Sequence, residues 1–410
     1  MLTHHQISQW IEDHEAWRKQ CMNLIASENA LSQAVRDALN NDLVQRYGNY
    51  LGRDLTNRRY SGSRFIQRIE VGLEEIVQDV FGASEVELRA ISGHVAGLAV
   101  IMATCKPGDT VLEIAGEDGG HRLAAKAVES PLIDLEVLPI PFDDQAYNID
   151  INATVKLIDE VQPRLIIFGS SNFLFPNPVK ELRSYLGDSS EVVLAYDASH
   201  VFGLIACGFF QDPLVEGADV AFGSTHKTLP GPQGGLIISN DNKLMDVISV
   251  AVYPGVVTNH HLMRSPALGI ALLEMKNHPQ YAHQVILNAQ ALGEGLHEGG
   301  LKVVASDRGY TRSHTVLVAT SDYGSGRDIA KRLEEADIMC SYTKLPESYG
   351  TEGIRMGTSE VTRLGADERD MKEAADIIMD VLRGAVKPEK AREASHAWAR
   401  RLSDIQYAAL

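Results

Sequence analysis

One lysine, Lys227, sits in the run Ser224-Thr225-His226-Lys227-Thr228-Leu229-Pro230-Gly231-Pro232-Gln233-Gly234-Gly235, among small, polar and glycine residues. A lysine amine becomes a covalent catalyst when burial disfavours its charged form and frees the lone pair to attack a carbonyl. The adjacent glycines let backbone approach a bulky ligand. Taken alone, the run equally describes an exposed lysine beside a Gly-Pro turn, which is where lysines ordinarily lie.

Four further constellations bear on that choice. Ser92-Gly93-His94 opens a helical pattern. A hydroxyl and a glycine at a helix N-terminus suit a phosphate, because backbone N–H groups and the helix dipole point at the anion; an ordinary helix cap reads the same way. Gly119-Gly120-His121 follows a strand pattern and offers an imidazole that can stack on a flat ring, or a surface turn. Asp197-Ala198-Ser199-His200 ends the apolar run Val192-Val193-Leu194-Ala195-Tyr196. A half-buried carboxylate there wants a cationic partner, and a protonated pyridine nitrogen would serve and become a better electron sink. Gly353-Ile354-Arg355-Met356-Gly357-Thr358 places an arginine fork, suited to a carboxylate, in a glycine-flanked strand. Phosphate cup, ring stacker, ring-nitrogen partner, Schiff-base lysine and carboxylate arginine together propose pyridoxal 5'-phosphate as cofactor.

These residues need a scaffold. Short apolar runs at 111–114, 135–138, 165–168, 192–196, 220–222 and 236–239 alternate with helical or loop stretches, including helix patterns at 66–80 and 94–104. That alternation predicts an α/β domain with a mainly parallel buried sheet flanked by helices. Ligands then lie beyond the carboxyl ends of its strands. After about 275 the texture becomes that of a smaller C-terminal α+β domain, with helix patterns at Gln280–Glu298, 326–335 and Glu368–Arg383 and a strand at Thr315–Ala319. The expected division is an N-terminal helical arm over 1–45, a large cofactor-binding domain over 46–275 and a small domain over 276–410. Residues 1–20 read as an amphipathic helix whose face, with Ile7, Trp10, Ile11 and Trp17, needs a packing partner such as a second subunit. Ser27 reads locally as the cap of a helix over 30–39. The polar, aromatic run 47–63 reads as a functional loop.

The bulk composition excludes several classes. The chain has 410 residues, a formal net charge of −17 and four dispersed cysteines. A charge of that sign argues against nucleic acid and anionic membrane as partners. No Cys/His cluster has zinc-ligand spacing, so no metal is expected. The start Met1-Leu2-Thr3-His4-His5 lacks the regions of a signal peptide, and no apolar run reaches spanning length. A cytoplasmic protein is expected.

From Leu24-Ile25-Ala26-Ser27-Glu28-Asn29, through Asp197 to Gly203 and the Lys227 run, to Gly353-Ile354-Arg355-Met356-Gly357-Thr358, the chain resembles the serine hydroxymethyltransferases, pyridoxal-phosphate enzymes of fold type I. The resemblance implies that Lys227 holds the cofactor as an internal aldimine and hands it to a small L-amino acid through an external aldimine and a quinonoid. It implies that Asp197 pairs the ring nitrogen, His121 stacks on the ring, and His200 lies near the ring hydroxyl. Ser92, Gly93 and His94 would cradle the phosphate, with Ser171, Thr225 and His226 also at the cofactor. Ser27 and Arg355 match carboxylate-binding positions. Tyr47 matches a tyrosine that reaches the neighbouring subunit's phosphate, and Gly234 and Gly235 fall where the family crosses its dimer interface. Tyr60 and Asn49 belong to the substrate mouth. A homodimer with shared active sites, or a tetramer built from two of them, is implied.

The departures from the family gather at that mouth. The family runs Tyr-Ala-Glu-Gly where this chain has Tyr47-Gly48-Asn49-Tyr50, so Asn49 stands at the position of a proton-handling Glu. An amide cannot exchange a proton near neutral pH. The segment is also longer and brings Asp54, a possible substitute acid. Paired tyrosines become Tyr60-Ser61, and the pteridine-side asparagine region reads Ser341-Tyr342-Thr343-Lys344-Leu345-Pro346. Binding of tetrahydrofolate or a related pterin is thereby in question. Two enzymatic readings stand side by side. One is Cα–Cβ chemistry, by aldol or retro-aldol cleavage or hydroxymethyl transfer. The other is processing of an S-substituted cysteine or similarly bulky amino acid by β-elimination or decarboxylation-coupled oxidative deamination, as in lincosamide natural-product assembly. A non-catalytic relative is disfavoured by the presence of Lys227.

Overall fold

The computed structural model describes residues 2–187 and 190–408. Contacts divide the chain into two compact units, one of residues 31–283 with 407–410 and one of residues 1–30 with 284–406. The sequence pattern placed its breaks after 45 and after 275. The first thirty residues count with the C-terminal unit because Met22–Asn23 forms a two-residue parallel pairing with Ile338–Met339.

The chain opens with α1 (His4–Arg18), started by a capping box at Thr3. None of its residues is buried, and Ile7, Trp10 and Ile11 are exposed. The next helix, α2 (Gln33–Leu39), is capped by Ser32, whose hydroxyl accepts from the Val35 N–H. It therefore starts later than the pattern suggested, and Ser27 is not its cap.

In the larger unit, α3 (Arg64–Phe81) buries Ile66, Glu70, Leu73, Val77 and Phe81, one stripe at helical spacing, and ends where Gly82 turns left-handed at φ 61°. The strands are β1 (Glu85–Glu87), β2 (Thr110–Glu113), β3 (Glu136–Pro139), β4 (Leu165–Phe168), β5 (Val193–Asp197), β6 (Val220–Ser224) and β7 (Gly235–Ser239). They form one sheet in the order β1-β7-β6-β5-β4-β2-β3. The five strands from β6 to β3 are parallel, and β7 pairs antiparallel with both β6 and β1. Strands β4 and β6 are buried throughout, as Leu165-Ile166-Ile167-Phe168 shows. Burying such side chains contributes about 1.5–3 kcal/mol each.

Against this sheet lies α4 (Gly93–Thr104), whose apolar residues run all round the helix. The pattern fits a helix packed on several sides. Leu123–Glu129, here α5, also packs on the sheet side of α4. The smaller unit has a four-stranded antiparallel sheet of β8 (Lys302–Val303), β9 (Thr315–Ala319), β10 (Ser341–Lys344) and β11 (Glu352–Gly357), in the order β8-β9-β11-β10. Its core includes Val316, Val318, Ile354 and Met356, with Ile378 and Trp398 from C-terminal helices. Among the described residues no helix is long and apolar enough to cross a membrane.

Candidate active site

Strands β2, β4, β5 and β6 end at the same edge of the sheet because they are parallel. Each delivers a loop there, and the N-terminus of α4 joins them. The cavity between these loops, about 150 Å³, is lined by Ser92, Gly93, His94, His121, Ser170, Ser171, Asp197, Ser199, His200, Ser224 and Lys227. Residues more than 130 positions apart in sequence thus meet at one strand-end crevice.

Each loop is tied down by its own hydrogen bonds. Asp197 is the last residue of β5, and its Oδ1 accepts from the Ser199 N–H at 2.9 Å. Ser199 Oγ in turn accepts from the Ser224 N–H at 2.9 Å, so the ends of β5 and β6 are joined. The Lys227 loop is clamped on both sides of the lysine. Thr225 Oγ1 donates to the Pro232 carbonyl at 2.7 Å, and Thr228 Oγ1 donates to the His200 carbonyl at 2.9 Å and accepts from the Gly203 N–H at 3.0 Å. A Cβ on Gly203 would run into the Thr228 backbone, so this close approach requires glycine.

The loop bearing His121 is fixed through one carbonyl. Gly119 O accepts from Ser170 Oγ at 2.8 Å, from the Ser171 N–H at 2.7 Å and from the Asn172 N–H at 3.2 Å. This strap ties the loop after β2 to the loop after β4. Ser92 Oγ caps α4 by accepting from the Val95 N–H at 3.1 Å, and Ser92 also lines the cavity. Ser92 thus caps the helix and lines the cavity at once. At Gly93 a Cβ would collide with Ser224, so the close approach of the α4 N-terminus to the end of β6 requires glycine.

The electrostatics favour neutral imidazoles. Burial pushes His121 down to about 4, with Lys126, Lys227 and His94 acting in the same direction and Asp197 against it. Burial also pushes His226 down to about 4, helped by the Lys227 charge. His226 Nδ1 is buried with no hydrogen-bond partner among the described residues. Neither His226 nor Thr225 lines the cavity; Thr225 is fully buried as part of the clamp.

Several expected residues lie elsewhere. Gly234 and Gly235 are buried within the chain's own sheet, where the Gly234 carbonyl accepts from the Thr225 N–H and the Gly235 N–H donates to the Ala90 carbonyl. Gly235 O also accepts from the Arg264 guanidinium. A Cβ at Gly234 would meet the Arg264 guanidinium and one at Gly235 the Ser92 carbonyl, so both close approaches require glycine. Tyr47 and Tyr60 do not line the cavity of their own chain; they pack ring against ring at 5.3 Å and are 52% and 43% exposed. Asn49 is buried, with Nδ2 donating to the Thr258 carbonyl at 2.8 Å. Asp54 does not enter the cavity of its own chain. It is exposed, and its Oδ1 accepts from the Thr56 hydroxyl and N–H, which hold the carboxyl below the usual range. In the smaller unit the Leu24 carbonyl accepts from the Gly357 N–H and His314 Nε2 bonds the Ala26 carbonyl, which sets the backbone before Ser27 beside the β11 strand of Arg355.

Ser170, Ser199 and Ser224 had no assigned role in the sequence reading. The one available signal was position: each lies one to three residues from a strand-end feature already singled out.

The architecture matches the crystal structure of L-threonine transaldolase from Pseudomonas fluorescens in its internal aldimine state. The TM-score is 0.91 and the identity 28%, covering 98% of this chain and 92% of that one. The chain is a fold type I pyridoxal-phosphate-dependent enzyme. The profile of the serine hydroxymethyltransferase family matches residues 2–378. Serine hydroxymethyltransferases from Methanopyrus kandleri and Methanocaldococcus jannaschii are 40% and 41% identical to it, over 98% and 97% of this chain and 94% of each of theirs. The chain belongs to the serine hydroxymethyltransferase family.

The cavity suits that cofactor by its donor set. It presents one primary amine, a carboxylate at a strand end, a neutral imidazole, and a hydroxyl-rich helix N-terminus with a glycine where a phosphate would need backbone N–H groups.

Proposed function

We propose that this enzyme makes or breaks a Cα–Cβ bond in a small β-hydroxy amino acid by aldol chemistry that does not depend on a folate. When bound, pyridoxal phosphate supplies the electron sink that makes carbanion chemistry at Cα accessible. The protein's own groups do the rest. Lys227 Nζ is the amine that takes the cofactor aldehyde. Asp197 balances a positive charge at the end of β5. The α4 N-terminus, with Ser92, Gly93 and His94 and with Ser171 opposite, holds the phosphate. His121 keeps a lone pair at neutral pH, because burial holds it uncharged, and offers a flat face. His200, buried beside the Lys227 clamp, orients polar groups of the ring. Ser27 and Arg355 are the proposed carboxylate binders. Tyr47 and Tyr60 act in the cavity of a second copy, which makes the working form a homodimer.

The observation that carries folate independence is Asn49. By the resemblance it stands where the family has an acid, and its amide is turned into the chain's own backbone at Thr258. It can neither hold nor release a proton there. The structural likeness to an enzyme named for threonine transaldolation supports the same reaction class.

The test incubates purified, cofactor-loaded enzyme with L-threonine and with L-serine, with and without tetrahydrofolate, and measures glycine. Glycine from threonine without folate is the expected result. Glycine formed only from serine and only with tetrahydrofolate would overturn the reading.

A further inference from the structure

His94 and His121 come from different supports. His94 is the second residue of α4, and His121 belongs to the loop strapped through Gly119 O. Their rings meet edge to face, with centroids 5.6 Å apart and planes at 72°. His94 Nδ1 and His121 Nε2 lie 3.3 Å apart in hydrogen-bonding geometry. Both residues line the cavity. We infer that His94 is a positioning residue, whose side chain fixes the ring orientation of His121 and ties that ring's tautomer to its own. This inference rests on the proposed place of His121 against the cofactor ring. It also separates two tasks at His94: the backbone N–H belongs to the helix N-terminus that faces the phosphate, and the imidazole belongs to its neighbour.

The chemistry of the pair is restrictive. Burial, with Lys126 on α5, lowers the His94 pKa, and His121 is lowered further, while Asp197 opposes both. Near neutral pH both imidazoles are therefore uncharged, each with one N–H and one bare nitrogen. A hydrogen bond between the facing nitrogens needs one proton between them, not two and not none. If the proton sits on His94 Nδ1, His121 must carry its own on Nδ1. If it sits on His121 Nε2, His94 must carry its own on Nε2. The two rings are thus held in the same tautomer. Opposite tautomers would set two N–H groups, or two lone pairs, against each other. A ring fixed in this way presents one defined face and one defined outer nitrogen to whatever lies in the cavity.

The test is nitrogen-15 NMR of the full chain labelled at the histidine rings, with His94 and His121 assigned by loss of their signals in His94→Asn and His121→Asn. Matched single tautomers are expected. Opposite tautomers, or a free mixture at either ring, would overturn the inference. The second readout is circular dichroism of the visible band in the cofactor-loaded enzyme. His94→Ala should lose or shift that signal, and His94→Asn, which keeps one hydrogen-bonding group, should retain it. Matched tautomers with an unchanged band in His94→Ala would leave the pairing standing and overturn instead the place of His121 against the cofactor.

Discussion

At the residue scale, two buried histidines and one buried amide make different demands. His121 and His226 are held near pKa 4 by burial, against about 6.5 in an unfolded chain. Between those values the unfolded state binds more protons than the folded one, so stability is full above about pH 6.5 and falls as pH drops towards 4. Cofactor-free enzyme should therefore show a urea midpoint that declines through that window, and His226→Asn should make the decline shallower. An identical slope in variant and wild type would show that His226 does not contribute. Asn49 makes a different demand. Its Nδ2 donates to the Thr258 carbonyl, and a carboxylate in its place could only accept. Asn49→Glu should lower stability by about 1–3 kcal/mol, the range for an unsatisfied buried polar group, and should bring no tetrahydrofolate dependence. A stable variant that gains folate-dependent serine cleavage would show that the side chain can swing out of its pocket.

At the element scale, the loop 47–63 is anchored by charge as much as by packing. Arg58 Nη1 donates to the Gly48 carbonyl at 2.6 Å and to Glu70 at 2.5 Å, and His260 Nε2 lies 2.6 Å from the other Glu70 oxygen. All three side chains are buried. Burial works to raise the Glu70 carboxyl, but His260 and Arg58 together outweigh it and the net direction is down. Removing the shared partner leaves Arg58 buried without its counter-charge, so Glu70→Ala should cost about 3–5 kcal/mol. By contrast Arg401, half-exposed beside Glu373 and Asp370, should cost at most about 1 kcal/mol when changed to Ala. Equal losses in chemical denaturation would refute the anchoring role of Glu70. Glu70 shows what the sequence could and could not tell. Its place in the apolar stripe of α3 is visible as a charge where a hydrophobe belongs. Its partners at 58 and 260 are not, because nothing local links them. The apolar strands from β2 to β7 were legible as continuous runs. Glu85-Val86-Glu87 was not, since its strand is set by distant pairing with Ile237–Ser239 and its Glu87 carboxylate is covered by Arg89. In the same way Asp197 and Lys227 could be picked out by type and strand-end position. The straps that hold them, through Ser199, Thr228 and Gly203, are hydroxyl-to-backbone bonds with no signature in spacing.

At the scale of the whole molecule, a single chain supplies Lys227 and Asp197 to one cavity while Tyr47 and Tyr60 lie outside it with their rings exposed. α1 likewise leaves Ile7, Trp10 and Ile11 uncovered. Exposed aromatic and aliphatic side chains of this kind mark surfaces that meet other proteins, and a two-fold dimer would bring the same patch to each partner. If Tyr47 serves the cavity of the other copy, defects in Tyr47 and Lys227 are separable by subunit. Lys227→Ala and Tyr47→Ala homodimers should each be inactive or nearly so. When the two variants are unfolded together and refolded, half of the dimers are mixed, and each mixed dimer has one cavity carrying both defects and one carrying neither. About a quarter of wild-type activity should return. If each chain instead builds its own complete site, every cavity in every dimer keeps one defect and no activity returns. Mass measurement of the mixture shows whether mixed dimers have formed, so a failure to exchange chains is read separately from a failure to complement.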